Sequence, residues 1–341
     1  MHYIKLEGSY YSMGKKMAQH FINNNSKFPI QLNKFQLKHG IESIELIKQF
    51  YPEILEEIKG ITDTLNFNFE QFASWLLCMG CCLTIRKNHN VEIRGCTAMG
   101  IITNNKIFYA RNNDLPPYLK QFSKSITYSP CAKNKFVLNT SSFINGEEGI
   151  NQHGLIVAMT FVIPNKNEIK PGFNSLFLVR YLLEHCKNVE EAIQALNKLP
   201  IASSCNILLI DKQKNMVVVE CCPFTIHIRK AQINNNGDKF NITVNHFTSK
   251  NMQNYDKSNQ NVYASANRYH CAYNCCNSPK SKITSNYLKE VLKGKYGFMC
   301  QYKRIKFETI WSTIIDVNKQ TLYLCDTSPL YGSFKKFKLF V

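Results

Sequence analysis

The sequence lacks any long apolar segment. None of its runs reaches the ~20 consecutive apolar residues that a membrane-spanning helix needs, so we expect no membrane span. The opening stretch, MHYIKLEGSYYSMGKKMAQHF, has no continuous apolar region of the kind found in secretory signal peptides. We therefore expect a cytoplasmic, reducing setting in which most of the 14 cysteines are free thiols.

Acidic side chains are also scarce, because 24 Asp and Glu face 42 Lys and Arg, a formal net charge of +18. Such a surplus can indicate nucleic-acid binding, but no dense basic run is present, and Lys124, Lys170 and Lys212 are dispersed. We expect no nucleic-acid partner, while attraction for an anionic substrate stays open. Internal repeats and low-complexity linkers are absent too, and 44% hydrophobic residues in 341 suffice for a substantial core.

What is present changes character near residue 93. Before this point, a short alternating strand at 3–7 precedes segments with helical apolar spacing. The predicted helices cover 14–35, 43–64 with a break at Pro52, and 68–82.

After residue 93 the pattern favours strands. CTAMGII and KIFYARN are predicted to form a hairpin through Thr103-Asn104-Asn105, and further alternating or apolar runs follow to the end of the chain. Two helices, SLFLVRYLLEHC and NVEEAIQALNKLP, interrupt the strands, with Asn188 as the predicted N-cap of the second. Strand-rich sequence with interleaved helices predicts an α+β fold built as a layered sandwich.

The densest group of reactive residues is Arg94-Gly95-Cys96-Thr97, followed by Arg111-Asn112-Asn113-Asp114. Gly95 has no Cβ, so its carbonyl can be approached closely and its backbone can adopt unusual angles. These are the needs of a peptide bond that is attacked by the thiol of the next residue. An N→S acyl shift followed by hydrolysis would leave Cys96 as a new N-terminus.

A free Cys96 would carry both a nucleophile and a base. Its α-amine has an unperturbed pKa of about 7.7–8.0, which suits a general base at neutral pH. The predicted hairpin returns Arg111 and Asp114 toward Cys96, where the carboxylate can hold the amine and the guanidinium can lower the pKa of the thiol. The alternative interpretation is that Cys96 is a small buried hydrophobe and that Arg111 and Asp114 form a surface ion pair.

A zinc site is the alternative use of the cysteines. Cys78-x-x-Cys81 and Cys271-x-x-x-Cys275 could supply four thiolates. The first pair lies in the apolar run WLLCMGCCL, which favours a buried helix, so we expect no metal.

Several motifs occur in a characteristic order over nearly the whole chain: YIKLEGSYYSMGKKMA, EILEEIKGITDTLNF, GCTAMGI, ARNNDL, GINQHGLIVAMTF, VVVECCP, VNHF, SANRY and TIWSTIIDVNKQTLYL. In this order they resemble the linear amide C–N hydrolases of the N-terminal-nucleophile superfamily, the choloylglycine hydrolase-like group. That group includes bile salt hydrolases, penicillin V acylases and isopenicillin N acyltransferase-like proteins. The last branch, which includes acyl-CoA:6-aminopenicillanic acid acyltransferase, is most similar because it too has a long prosegment before the cysteine.

The resemblance implies roles for five residues. Cys96 is the nucleophile, Asp114 orients its amine, and Arg111 matches the arginine of the bile salt hydrolases. Asn245 in VNHF matches an oxyanion-hole asparagine, and Arg268 in SANRY matches an arginine that supports the polar network.

Thr160, in AMTFV, falls where the family often places an Asn or Tyr that faces the oxyanion. A threonine offers only a hydroxyl donor, so the second oxyanion donor stays open.

The resemblance also implies a four-layer αββα sandwich, made from a helical prosegment of residues 1–95 and a catalytic chain of residues 96–341 that stay associated after cleavage. The expected function is hydrolysis of a linear amide through a Cys96 acyl-enzyme, without a cofactor. Two alternatives are an acyltransferase, which would use an amine acceptor or acyl-CoA, and a binding protein that never matures. A homo-oligomer is possible.

Overall fold

The computed structural model describes residues 1–83, 95–164, 166–256, 264–301 and 307–340. Arg94 lies outside these residues. Within them, two large β-sheets are flanked by helices, and no helix is both long and apolar enough to span a membrane.

The first sheet has eight strands in the order β1-β4-β5-β6-β7-β8-β9-β10. All neighbours are antiparallel except β1 and β4, which are parallel. The strands are β1 (His2–Gly8), β4 (Lys124–Pro130), β5 (Phe136–Thr140), β6 (Glu148–Asn151), β7 (Ile156–Phe161), β8 (Cys205–Ile210), β9 (Met216–Cys222) and β10 (Thr225–Lys230).

The second sheet has seven strands in the order β11-β12-β2-β3-β13-β14-β15, all antiparallel. The strands are β2 (Gly95–Ile102), β3 (Ile107–Leu115), β11 (Gln232–Ile233), β12 (Lys239–Thr243), β13 (Glu308–Asp316), β14 (Thr321–Cys325) and β15 (Lys335–Lys338). The predicted hairpin of β2 and β3 is confirmed, and Thr103 N donates to Lys106 O across its turn.

Eight α-helices cover the outer faces of the sheets in the described part of the chain. They are α1 (Tyr10–Asn23), α2 (Lys34–Phe50), α3 (Pro52–Leu65), α4 (Phe69–Cys78), α5 (Ser175–His185), α6 (Val189–Lys198), α7 (Ser265–Asn277) and α8 (Ser285–Lys293). Short 3₁₀ turns occur at Pro117–Phe122, Lys166–Glu168 and Lys250–Tyr255.

The buried side chains form three stacked cores, which confirms the four-layer αββα order. The largest core lies between the first sheet and helices α1–α6. The middle core joins the two sheets, for example through Ala98 and Tyr109 of one and Leu208 and Val218 of the other. The third core places α7 and α8 on the outer face of the second sheet.

Local sequence sets most helix ends. Pro52 is the first residue of α3, where its missing N–H costs nothing, so the predicted break is confirmed. The Asn188 side chain accepts from Glu191 N at the start of α6, as expected for an N-cap. The predicted helix at 14–35 is wrong in its second half, because α1 ends at Asn23 and the next helix begins only after the Asn33 capping box.

Residues before Cys96 are built into the same body as the rest of the chain. Strand β1 is the edge of the first sheet, and helix α3 is tied to α5 by a buried ion pair of 2.6 Å between Glu57 and Arg180. Arg180 also pairs with Glu184, and Tyr10 donates to Glu184 at 2.6 Å. A chain cut before Cys96 would therefore have to break a continuous core and a buried ionic network to come apart.

Candidate active site

The hairpin of β2 and β3 brings the predicted reactive residues together. Cys96 lies opposite Asn113 and Ala98 opposite Arg111, so these four share the face of the second sheet that packs on the first. Gly95 lies opposite Asp114, whose side chain belongs to the other face. The Gly95–Cys96 peptide bond lies at the start of β2, and the contacts around it are those of the uncut chain.

The Cys96 thiol is buried among polar groups. Arg111 Nη2 donates to Sγ at 2.9 Å, and Sγ donates to Asn113 Oδ1 at 3.3 Å. Arg111 is itself held by the carbonyl of Met159 and by a 3.9 Å ion pair with Glu148. The position of the guanidinium is therefore fixed from three sides.

The expected lowering of the thiol pKa is outweighed in this uncut chain. Burial raises the pKa of Cys96 above its usual value, and the nearby Arg111 opposes this effect only in part. Cys96 is only 3% exposed, so water does not stabilise the thiolate.

The backbone of Cys96 is held by two further side chains. Its N–H donates to Asn245 Oδ1 at 2.8 Å, and its carbonyl accepts from Arg268 Nη1 at 2.5 Å. Asn245 follows β12, and its own N–H donates to Ser265 Oγ in the first turn of α7. Arg268 lies one turn further along α7, so the same helix positions both groups.

The orientation of the Asn245 amide is determined by its neighbours. Arg268 Nη2 lies 2.8 Å from Oδ1 and can only donate, so the atom facing it must be the oxygen. The amide nitrogen Nδ2 points the other way and donates to the Phe161 carbonyl at 2.9 Å. In the uncut chain, Asn245 thus accepts from the nitrogen of Cys96.

Asp114 lies on the α7 side of the hairpin. Thr309 donates to its Oδ1 at 2.5 Å, and Arg268 Nε is 4.0 Å from its Oδ2. Burial raises the pKa of Asp114 to about 6, although Arg268 pulls it down. Asp114 therefore reaches Cys96 through Arg268 and through the shared register with Gly95.

Thr160 lies behind Asn245. Its hydroxyl donates to the Val244 carbonyl at 2.6 Å and accepts from Asn206 Nδ2 at 3.2 Å. Because its single hydrogen is used on Val244, Thr160 has no donor directed at Cys96 in this structure.

Close packing around residue 95 requires a glycine there. A Cβ at this position would lie 2.5 Å from Cζ of Phe307 and 3.3 Å from the Asp114 Cβ. No larger residue fits there without moving a buried ring.

Sequence reasoning did not single out Asn113. Its Oδ1 accepts from Cys96 Sγ and from Arg111, while its Nδ2 is buried with no hydrogen-bond partner among the described residues. The hairpin register, which follows from the turn at residues 103–106, places Asn113 directly across from Cys96 and could have identified it.

A cavity of about 970 Å³ lies between the helices before Cys96 and the loops after β3 and β5. Its lining includes Trp75, Phe122, Phe143 and Ser141. Cys96 does not line it, but Ser141 Oγ accepts from Trp311 Nε1, and the Trp311 ring is 5.7 Å from the Arg111 guanidinium carbon.

The four cysteines of the alternative zinc site lie in two separate places. Cys78 and Cys81 pack in one small core, whereas Cys271 and Cys275 pack in the outer core of the second sheet.

Comparison with known proteins identifies the family of the chain. Residues 102–331, about two thirds of the chain, match the family described as acyl-coenzyme A:6-aminopenicillanic acid acyl-transferase. The chain belongs to this acyl-transferase family. The matched span begins after Cys96 and includes Arg111, Asp114, Asn245 and Arg268.

Two solved structures are partly similar to this member of the acyl-transferase family. Penicillin V acylase from Agrobacterium tumefaciens shares 18% identity over 71% of this chain and 86% of its own, with a TM-score of 0.45. The conjugated bile acid hydrolase from Clostridium perfringens shares 13% identity over 71% and 92%, with a TM-score of 0.46. Comparison with curated protein sequences found no match.

Proposed function

We propose that the chain is a cysteine N-terminal-nucleophile amidohydrolase that cuts itself before Cys96 and then hydrolyses a linear amide through a Cys96 acyl-enzyme. One observation carries the proposal. The thiol, the backbone nitrogen and the carbonyl of Cys96 each have a buried polar partner, and these partners come from three different elements: Arg111, Asn245 and Arg268. A cysteine that serves only as packing needs none of them.

In the proposed maturation step, the Cys96 thiol adds to the Gly95 carbonyl carbon. The C–N bond breaks as the amide nitrogen takes the thiol proton, which leaves a Gly95 thioester on Sγ. Water then hydrolyses the thioester to give a Gly95 carboxylate and a free Cys96 amine and thiol. The absence of a side chain at residue 95 supports this step, because the carbonyl must be reached within a closely packed strand.

In the proposed turnover, the freed amine of Cys96 removes the thiol proton and the thiolate attacks the substrate carbonyl. The ammonium returns the proton to the leaving amine, and water hydrolyses the acyl-enzyme by the reverse sequence. Asn245 Oδ1 supports the base role, since it already accepts from the nitrogen that becomes the amine. Arg111 stabilises the thiolate from 2.9 Å.

Two side-chain amides are the proposed donors to the oxyanion. Asn245 Nδ2 uses one hydrogen on Phe161 and has a second one to donate. Asn113 Nδ2 is the other donor, because it is buried beside Sγ without a partner among the described residues. This choice replaces Thr160, whose hydrogen is bound by Val244.

The cavity of about 970 Å³ is the proposed site for the acyl group. Its aromatic lining, with Trp75, Phe122 and Phe143, suits an apolar chain. The Ser141–Trp311–Arg111 contacts connect its wall to the thiol.

An acyltransferase is the second candidate, favoured by the family to which the chain belongs. It would share the acyl-enzyme and replace water by an amine acceptor, or accept the acyl group from acyl-CoA. The formal charge of +18 suits an anionic donor of this kind.

Acid-quench mass spectrometry tests the proposed function. The matured protein is mixed with a series of N-acyl amides, quenched in acid within milliseconds and measured intact. We expect the mass of the 96–341 chain to rise by one acyl group, and peptide mapping should locate the thioester on Cys96. Added amines that convert the product from free acid to new amide would favour the transferase. An acyl group on another residue would contradict the proposal.

A further inference from the structure

A second group of buried cysteines lies near the ends of helices α2 and α4, away from the hairpin. The Nε2 of His39 is 3.7 Å from Sγ of Cys81, and the ligand atoms of His39, Cys81 and Cys82 all lie within 4.8 Å of one another. The two cysteines are fully buried and His39 is 4% exposed. The proposed catalytic mechanism uses none of these residues.

Close helix packing brings the imidazole to the thiols. At Gly40, next to His39, an added Cβ would lie 2.2 Å from the Cβ of Ser74, so only glycine allows α2 and α4 to approach this closely. The Gln36 amide, one turn before His39, donates to the Cys82 carbonyl at 3.0 Å. The turn after α4 is thereby fixed against α2.

A fourth thiol is nearby. Cys78, the last residue of α4, donates to the Gln36 carbonyl at 3.3 Å, and its thiol also contacts that of Cys82. The thiol of Cys81 also contacts that of Cys82, so the three thiols form one connected group.

These groups match the chemistry of a structural zinc site. Zinc takes four cysteine or histidine ligands, with Zn–S near 2.3 Å and Zn–N near 2.0–2.1 Å. In a tetrahedron these bonds separate neighbouring ligand atoms by about 3.4–3.8 Å. The separation of 3.7 Å between His39 and Cys81 falls in this range, and the two remaining separations among His39, Cys81 and Cys82, each no more than 4.8 Å, would have to close by roughly 1 Å.

We propose that His39, Cys81 and Cys82 bind one Zn²⁺, with Cys78 as the fourth ligand after its thiol turns from Gln36. The site differs from the paired spacing that the sequence indicated, because its histidine comes from α2 and not from a second Cys pair. Cys81 also lies 4.0 Å from the Ala202 carbonyl. The metal would thus stiffen the contact between the helices before Cys96 and the segment that precedes β8.

Metal analysis of the full chain tests this site. The protein is produced with zinc in the medium, purified without chelators and measured by elemental mass spectrometry. We expect about one zinc per chain. After the metal is stripped, titration with Co²⁺ should give the thiolate charge-transfer band and the intense visible bands of tetrahedral coordination.

Matched variants assign the ligands. His39→Gln and Cys81→Ser should lose the bound zinc and the cobalt bands, whereas Cys275→Ser, which removes a buried thiol from the Cys271-x-x-x-Cys275 pair, should keep both. If Cys81→Ser does not fold, the native cobalt titration and His39→Gln still decide. A native chain without zinc and without cobalt bands would overturn the proposal. So would zinc lost from Cys275→Ser but kept by His39→Gln, or a disulfide among the three cysteines.

Discussion

Cys96 and the Cys81–Cys82 pair are all buried but have different neighbours. Cys96 is surrounded by Arg111, Asn113 and Asn245, which donate to it or accept from it. The pair lies in a small, mostly apolar core, with the imidazole of His39 within 4.8 Å of both thiols. Burial alone therefore does not decide what a cysteine does.

The neighbours suit the two groups to different chemistry. Burial raises the pKa of Cys96 in the uncut chain despite Arg111, and a thiol kept protonated in this way suits a nucleophile that acts only after its own amine is freed. The Cys81–Cys82 pair has an imidazole nitrogen within 4.8 Å, and this combination of ligand atoms suits a metal.

Removing the nucleophile should have the largest effect and sharpens the comparison most. Cys96→Ala should abolish both cleavage and turnover, by on the order of 10³-fold or more, because no other group supplies the thiol. Cys276→Ala, which removes another buried thiol on α7, should leave both intact. Cleavage is measured by intact mass and turnover by release of amine. Normal cleavage of Cys96→Ala would remove the distinction between the two cysteine groups.

Two variants of Asn245 distinguish the role of its amide oxygen from that of its amide nitrogen. Asn245→Ala loses both atoms, and we expect turnover to fall ~100-fold or more, mainly in kcat. Asn245→Asp keeps an oxygen that faces the Cys96 nitrogen but loses the donor Nδ2. If the donor matters, Asp should be as slow as Ala. Rates are normalised to the cleaved fraction, since both variants should also mature slowly. Native turnover by fully cleaved Asn245→Ala would show that the oxyanion is held elsewhere.

Arg111 tests how much the thiol depends on its charged neighbour. Arg111→Met should raise the pKa of the Cys96 thiol in the matured enzyme, because an adjacent positive charge typically lowers a pKa by about 1 unit or more. Alkylation of Cys96 at neutral pH should therefore slow by about 10-fold. Arg111→Lys keeps the charge and serves as control. An unchanged pH profile of alkylation in the Met variant would contradict the role.

Asp114 should have the smallest effect of the residues tested, and its effect on stability should depend clearly on pH. Its folded pKa of about 6 exceeds the ordinary value of 3.8, so its contribution to the free energy of unfolding is present below 3.8 and is lost as pH rises through 6. Asp114→Asn should remove this loss, on the order of 1–3 kcal/mol. In turnover, Asp114→Asn should lower the rate of the fully cleaved enzyme.

Urea unfolding in the uncleavable Cys96→Ala background measures the stability part without interference from cleavage. In this background, the chain with Asp114 should lose stability, relative to its Asp114→Asn variant, as pH rises from below 3.8 to above 6. If it does not, the carboxylate is not desolvated as the structure indicates.

Local sequence signals were sufficient for part of the site. Alternating residues and a polar turn predicted the β2–β3 hairpin, which brings Arg111 to the Cys96 thiol. The same register places Asp114 opposite Gly95, so its carboxylate does not contact Cys96 directly. The roles of Asn245 and Arg268 in the site were predicted from the family resemblance alone. Their contact depends on α7, which the sequence pattern did not predict as a helix because its apolar face is narrow and rich in cysteine.

Other features depend on contacts distant in sequence. The continuous segment of residues 227–233 divides between β10 and β11, which belong to different sheets. His39 is separated from Cys81 by two helices, and only the close packing at Gly40 brings them together. Neither the division of this segment nor the approach of His39 to Cys81 can be predicted from the spacing of neighbouring residues.

The intact mass of the purified protein tests the central claim most directly. The account predicts two associated fragments, residues 1–95 and 96–341, with Cys96 as the free N-terminus of the second and a single uncut mass for Cys96→Ala. The two fragments should elute together, since β1 and the Glu57–Arg180 pair join them. An active protein that stays a single chain of 341 residues, or one cut elsewhere, would contradict it. A single chain without activity would favour a binding protein that never matures.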